Sequence, residues 1–139
     1  MGRPILLVED NADDRELTIR ELRKYRVAND IVTAEDGVEA LERFFGAGGP
    51  PGELPELLIL DLNLPKLSGR EVLQRLRADS RTRAIPIIVL TTSQDDQDMV
   101  DSLQLGVNGY VRKPVNFNEF ADAIRQIGLA WCLKKPEAC

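Results

Sequence analysis

No histidine occurs among the 139 residues, and there are only two cysteines, one tryptophan and two tyrosines. Without imidazole the chain has no Ser-His-Asp or Cys-His chemistry, no histidine zinc ligands, and no means of acting as a phosphohistidine donor. Cys132 and Cys139 lie near the C-terminus and are too few for an all-cysteine zinc site, so free thiols in a reducing compartment are expected. Long apolar runs are also missing. Nothing approaches the roughly 20 residues that cross a bilayer, and Met1-Gly2-Arg3-Pro4 enters a short apolar run without a signal-peptide pattern. Leu6 stands where a myristoylation motif requires Ser or Thr. Positive charge is in deficit, with 18 Lys and Arg against 23 Asp and Glu for a net −5. That balance argues against binding to nucleic acid, which needs clustered cations to displace counterions. The expectation is a cytoplasmic protein with neither membrane nor nucleic acid as a partner.

What is present alternates regularly. Ile5–Val8, Ile31–Thr33, Leu57–Leu60, Ile87–Leu90 and Val107–Val111 are short runs rich in branched residues, as expected of strands covered on both faces of a parallel sheet. Between them fall segments of helical period, marked by Leu17, Leu22 and Tyr25, then Val38, Leu41 and Phe44 or Phe45, then Val72, Leu73 and Leu76, then Met99, Val100 and Leu103. A fifth carries Phe117, Phe120, Ala121, Ile124, Ile127 and Trp131. Asp36 with Glu39, Ser68 with Glu71 and Asn116 with Glu119 have capping-box spacing, and Gly106 suits the end of the fourth helix. Five β-then-α units with short connections predict an α/β fold: a single doubly wound, five-stranded parallel sheet of order 2-1-3-4-5, a flavodoxin-like (βα)5 domain. One domain is expected over 1–139, with its core over about 4–131 and a tail at 132–139; the Gly- and Pro-rich stretch 46–55 reads as a surface loop.

Four of the apolar runs end in residues able to handle a phosphoryl group: Glu9-Asp10, Asp61, Thr91-Thr92 and Lys113. In open α/β sheets ligands sit beyond the carboxyl ends of the strands where the order reverses, here between the first and third strands. Glu9, Asp10 and Asp61 therefore converge. Like charges at that distance need a compensating cation, and Mg²⁺ suits carboxylate, carbonyl and phosphate oxygen. Asp61 then becomes a candidate nucleophile toward a phosphoryl donor, with the Lys113 ammonium and the Thr91 hydroxyl able to meet phosphoryl oxygens.

In these motifs, from Glu9-Asp10 through Leu60-Asp61-Leu62-Asn63-Leu64-Pro65 with Gly69, to Thr91 and Lys113-Pro114, the chain resembles the receiver domains of two-component response regulators over roughly Ile5 to Trp131. The resemblance implies that Asp61 accepts a phosphoryl group from a phosphohistidine on a sensor histidine kinase. It implies that Asp10, Asp61 and the Asn63 carbonyl bind Mg²⁺ with Glu9 assisting through water, and that Thr91 and Lys113 contact the phosphoryl oxygens. It further implies a switch in which Thr91 moves toward the phosphoryl group and Tyr110 rotates inward, and a cis peptide at Lys113-Pro114. The segments 66–71 and 87–93 and the Trp-bearing tail resemble single-domain regulators paired with bacterial phytochrome kinases.

The chain stops soon after the fifth helix, so partner binding or phosphorelay is expected in place of an attached output domain. The apolar band through Phe120, Ile127 and Trp131 predicts a homodimer built on the fourth helix, fifth strand and fifth helix. A haloacid-dehalogenase-type phosphatase would share the strand-end Asp and Mg²⁺ but places a second Asp two residues on, for proton transfer. Here Asn63 occupies that position, and an amide cannot perform the step. A flavodoxin-like cofactor binder would need a hydroxyl- or glycine-rich phosphate loop where Asp10-Asn11-Ala12-Asp13-Asp14 stands. The expectation is a switch with no activity beyond its own phosphorylation and dephosphorylation.

Overall fold

The computed structural model describes residues 4–24, 29–45 and 54–127. Strands β1 (Ile5–Val8), β2 (Ile31–Ala34), β3 (Leu57–Asp61), β4 (Ile87–Thr91) and β5 (Gly109–Arg112) alternate with helices α1 (Ala12–Lys24), α2 (Gly37–Phe45), α3 (Gly69–Ala78), α4 (Gln94–Ser102) and α5 (Phe117–Ile127). All strand pairs are parallel, in the order β2-β1-β3-β4-β5, so the predicted architecture is the observed one. Alternation along each strand divides the core in two. Ile5, Leu7, Leu57, Ile59, Ile88 and Leu90 face Leu22, Phe120 and Ile124 of α1 and α5, whereas Leu6, Val8, Leu58, Leu60, Ile87 and Val89 face Ala40, Phe44, Leu73, Leu76 and Val100 of α2, α3 and α4. The central strands are buried on both sides, which is why they read as unbroken apolar runs.

Three local differences have physical causes. Val38, expected on the inward face of α2, is 44% exposed. A Cβ on Gly37 would lie 2.2 Å from the Leu67 carbonyl oxygen, so Gly37 sits hard against the β3–α3 loop, and Ala40 and Phe44 turn inward in Val38's place. Strand β5 begins at Gly109, not Val107, because the Asn108 side-chain oxygen accepts the Ile87 N–H at 2.8 Å in place of a backbone carbonyl. Helix α4 ends at Ser102 with Leu103 as its C-cap, and Gln104 (φ 54°) takes the left-handed conformation predicted for Gly106, which lies two residues further on with φ 67°. The capping residues behave as their spacing predicts: Asp36, Ser68 and Asn116 accept from the backbone N–H of Glu39, Glu71 and Glu119.

The apolar pattern of α5 places Phe120 at a partner interface. It is instead 1% exposed and belongs to the core beneath β5, where burial of its ring stabilises the sheet face. Tyr25, Trp131, Cys132, Cys139 and the loop 46–53 lie outside the described residues, as does the side chain of Ile127.

Candidate functional site

The rim at the carboxyl ends of β1, β3, β4 and β5 brings the strand-end polar residues together. Asp61 is the last residue of β3 and is 1% exposed; Glu9, just past β1, is fully buried, and Asp10 beside it is exposed. One carboxylate oxygen from each lies within 4.8 Å of the others. Gly69 permits this compactness: a Cβ there would stand 2.6 Å from the Asp61 carbonyl oxygen, so only glycine lets the start of α3 close over the end of β3. The Gly69 N–H donates to Leu62 O at 3.0 Å and fixes the turn. Within it the Asn63 backbone N–H donates to Asp61 Oδ1 at 3.1 Å. Lys66 in the same loop has φ 66° and reaches Asp36 Oδ2 at 3.4 Å.

Lys113 supplies the positive charge. It follows β5, its peptide to Pro114 is cis, and its backbone N–H donates to Thr91 O at 2.9 Å. Its Nζ lies 3.1 Å from Asp61 Oδ2, 3.0 Å from Glu9 Oε1 and 3.0 Å from Asp14 Oδ2. Burial works against the lysine charge, but the carboxylates of Glu9, Asp14 and Asp61 outweigh it and raise the pKa, so the ammonium is fixed. Glu9 goes the other way. Burial, and next the neighbouring Asp61 carboxyl, push its pKa from 4.5 up to about 7, despite Lys113 and the Asn11 N–H. One lysine does not balance this many carboxylates.

A cation would fit. The donors are hard carboxylate oxygens from two adjacent strand ends, which suit Mg²⁺ or Mn²⁺ better than a soft metal. Glu9 Oε2 accepts the Asn11 N–H at 3.2 Å, whereas the buried Oε1 meets Lys113 as an ion pair without an aligned hydrogen bond.

Thr91 ends β4, 1% exposed, and its hydroxyl donates to Ser93 O and accepts from Ser93 N, both at 3.2 Å. The Oγ is thus committed to the β4–α4 turn. Tyr110 on β5 is half-buried against the α4 side of the core, and its hydroxyl donates to Asp101 Oδ1 at 2.6 Å. Burial first, and then Asp101, raise the pKa of that phenol. Sequence reasoning missed Asp14 and Asp101. Asp14 carried one usable signal, lying four residues after Asp10 in the first turn of a helix. Asp101 carried none, being one of several exposed acids in α4.

This arrangement has counterparts of known kind. The bacteriophytochrome response regulator AtBRR is 46% identical, with a TM-score of 0.86, over 96% of this chain and 98% of that one. The phosphorylated cyanobacterial phytochrome response regulator RcpA is 33% identical, with a TM-score of 0.74, over 99% of this chain and all (100%) of that one. Response regulator Rcp1 from Synechocystis sp. is 34% identical over 128 residues, 91% of this chain and 87% of Rcp1, and the Mn²⁺-bound form of Rcp1 superposes with a TM-score of 0.74. The response regulator receiver domain matches residues 5–125, a span that runs from β1 into α5 and takes in every strand end described above, and the chain belongs to that family.

Proposed function

We propose that Asp61 is the phosphoacceptor of this receiver, taking its phosphoryl group from a phosphohistidine on a sensor histidine kinase of phytochrome type. The observation that carries this reading is a buried Asp61 carboxylate 3.1 Å from the Lys113 ammonium, beside Glu9 and Asp10. An Asp61 oxygen forms the new bond to phosphorus as the bond to the donor breaks, and the leaving group takes that electron pair. Lys113 neutralises charge on the phosphoryl oxygens as a point charge. Thr91 exchanges its bond to Ser93 for one to the phosphoryl group, and Tyr110 leaves Asp101 as the surface formed by α4 and β5 changes.

Glu9, Asp10, Asp61 and the Asn63 carbonyl would hold Mg²⁺, whose chemistry is to offset charge that the single lysine leaves unbalanced. Asn63 cannot relay a proton to water, so the phosphoaspartate persists long enough to signal and the protein is a switch rather than a phosphatase. The same reading places it in the cytoplasm, without nucleic acid or membrane as a partner. It also includes a homodimer through α4, β5 and α5, with Ile127 and Trp131 in the contact, which light scattering of the wild type and Trp131→Ala would test.

Acetyl phosphate with Mg²⁺ should add one phosphoryl group, seen by intact mass, that hydroxylamine removes and Asp61→Asn prevents. Labelling that survives Asp61→Asn would overturn the assignment, and steady turnover of a phosphomonoester would favour a phosphatase.

A further inference from the structure

Asp14 stands outside the acidic group of Glu9, Asp10 and Asp61, yet it touches the same lysine. It lies in the first turn of α1, whose start is fixed by the Asp14 N–H donating to Asn11 Oδ1 at 2.9 Å. Three carboxylates thus surround one ammonium, Asp14 and Glu9 as ion pairs at 3.0 Å and Asp61 at 3.1 Å with an aligned hydrogen bond as well. They are not equally replaceable. The Glu9 and Asp61 side chains are 0% and 2% exposed, whereas that of Asp14 is 36% exposed and can turn to water at little cost.

We propose that Asp14 is a positioning residue for phosphoryl transfer: it tethers Lys113 on the α1 side of the site and limits how readily the ammonium reaches an incoming phosphoryl group. This rests on Asp61 being the phosphoacceptor. During transfer the Asp61 oxygen–phosphorus bond forms, the bond from phosphorus to the leaving oxygen or nitrogen breaks, and that atom keeps the electron pair. Negative charge meanwhile spreads over the three phosphoryl oxygens. Lys113 can move toward that charge only by drawing away from one of the carboxylates that surround it. Asp61 is the reacting group and Glu9 is buried, which leaves Asp14 as the contact to be given up. Breaking it is a cost that the wild type bears and an Asp14→Asn variant does not.

The test measures phosphorylation rates of wild type, Asp14→Asn and Asp14→Glu at saturating Mg²⁺ with two donors, acetyl phosphate and the less negatively charged phosphoramidate. Asp14→Asn should react about three- to fivefold faster with both, the upper range of a partly exposed ion pair, while Asp14→Glu stays near wild type and the urea midpoints agree. A merely structural Asp14 would instead give a lower urea midpoint and a slower rate, overturning the proposal. An increase confined to acetyl phosphate would also overturn it, because simple repulsion of an anion would then suffice. If the wild type itself is not labelled, the reading of Asp61 fails; if it is labelled and Asp14→Asn is no faster, only the positioning role of Asp14 fails.

Discussion

Replacing Lys113 by Met keeps most of the side-chain volume and removes the one charge that Glu9, Asp14 and Asp61 share at 3.0, 3.0 and 3.1 Å. Glu9 and Asp61 are buried and the lysine side chain is only 13% exposed, so the discount that applies to surface ion pairs is small here. Removing one partner of a buried pair typically costs about 3–5 kcal/mol, because the remaining charge is left without compensation. The loss should depend on pH. Burial and the Asp61 carboxyl raise Glu9 from 4.5 to about 7, so the folded state binds more protons than the unfolded chain between those values. Stability of the metal-free protein therefore falls as pH rises from 4.5 through 7. Lys113 opposes that fall, and Lys113→Met should steepen it. Urea denaturation without metal should show a deficit of about 3 kcal/mol or more for Lys113→Met at pH 8, and a smaller one near pH 4, where protonated Glu9 no longer needs the lysine. Saturating Mg²⁺ should narrow the gap at pH 8, since a cation on the same carboxylates replaces the missing charge. Equal urea midpoints for the two proteins at pH 8 without metal, or a gap indifferent to Mg²⁺, would refute the reasoning.

Other substitutions probe the scaffold around this cluster. Gly69→Ala would force a Cβ to 2.6 Å from Asp61 O, and should cost about 2 kcal/mol in urea denaturation and weaken Mg²⁺ binding measured by calorimetry. Arg77 donates to the carbonyls of Arg83, Ile85, Leu105 and Gly106 at 2.7–3.0 Å, tying the turn before β4 to the one before β5 at the opposite end of the sheet from the acidic cluster. Arg77→Met should destabilise by about 3 kcal/mol by leaving acceptors unpaired, Arg77→Lys should recover little because it lacks the planar fork, and Mg²⁺ affinity should be unchanged in both. Tyr110→Phe and Asp101→Ala each break the 2.6 Å hydrogen bond between them, so in a double-mutant cycle read by urea denaturation the double mutant should cost no more than the larger single change, to within about 0.5 kcal/mol. Additive costs would mean that the bond contributes nothing.

The sheet and the strand-end residues are legible in the sequence because burial on both faces leaves a strong signal: four branched apolar residues, then an abrupt polar one. Asp61 and Thr91 are such residues, and each is the last of its strand. Helix faces were less legible. On α2 the close approach of Gly37 to Leu67, not the apolar pattern, sets which residues turn inward. Contacts between polar residues remote in sequence were not legible at all. Arg77 and Leu105 are 28 positions apart, and nothing periodic distinguishes Arg77 from its exposed neighbour Arg75. Asp14 and Asp101 likewise resemble ordinary helix-surface acids until the fold sets Lys113 and Tyr110 beside them. Phe120 is ambiguous in sequence because an aromatic on an apolar helix band fits a core and an interface equally well, and its 1% exposure puts it in the core.

The most direct measurement is to locate the phosphoryl group itself. After reaction with acetyl phosphate and Mg²⁺, borohydride reduces an aspartyl phosphate to homoserine, which peptide sequencing by mass spectrometry can place. Homoserine at position 61, formed only in the phosphorylated sample, is the predicted result; homoserine at position 10 or 14 with none at 61, or a phosphoryl group on Ser or Thr, would contradict the account.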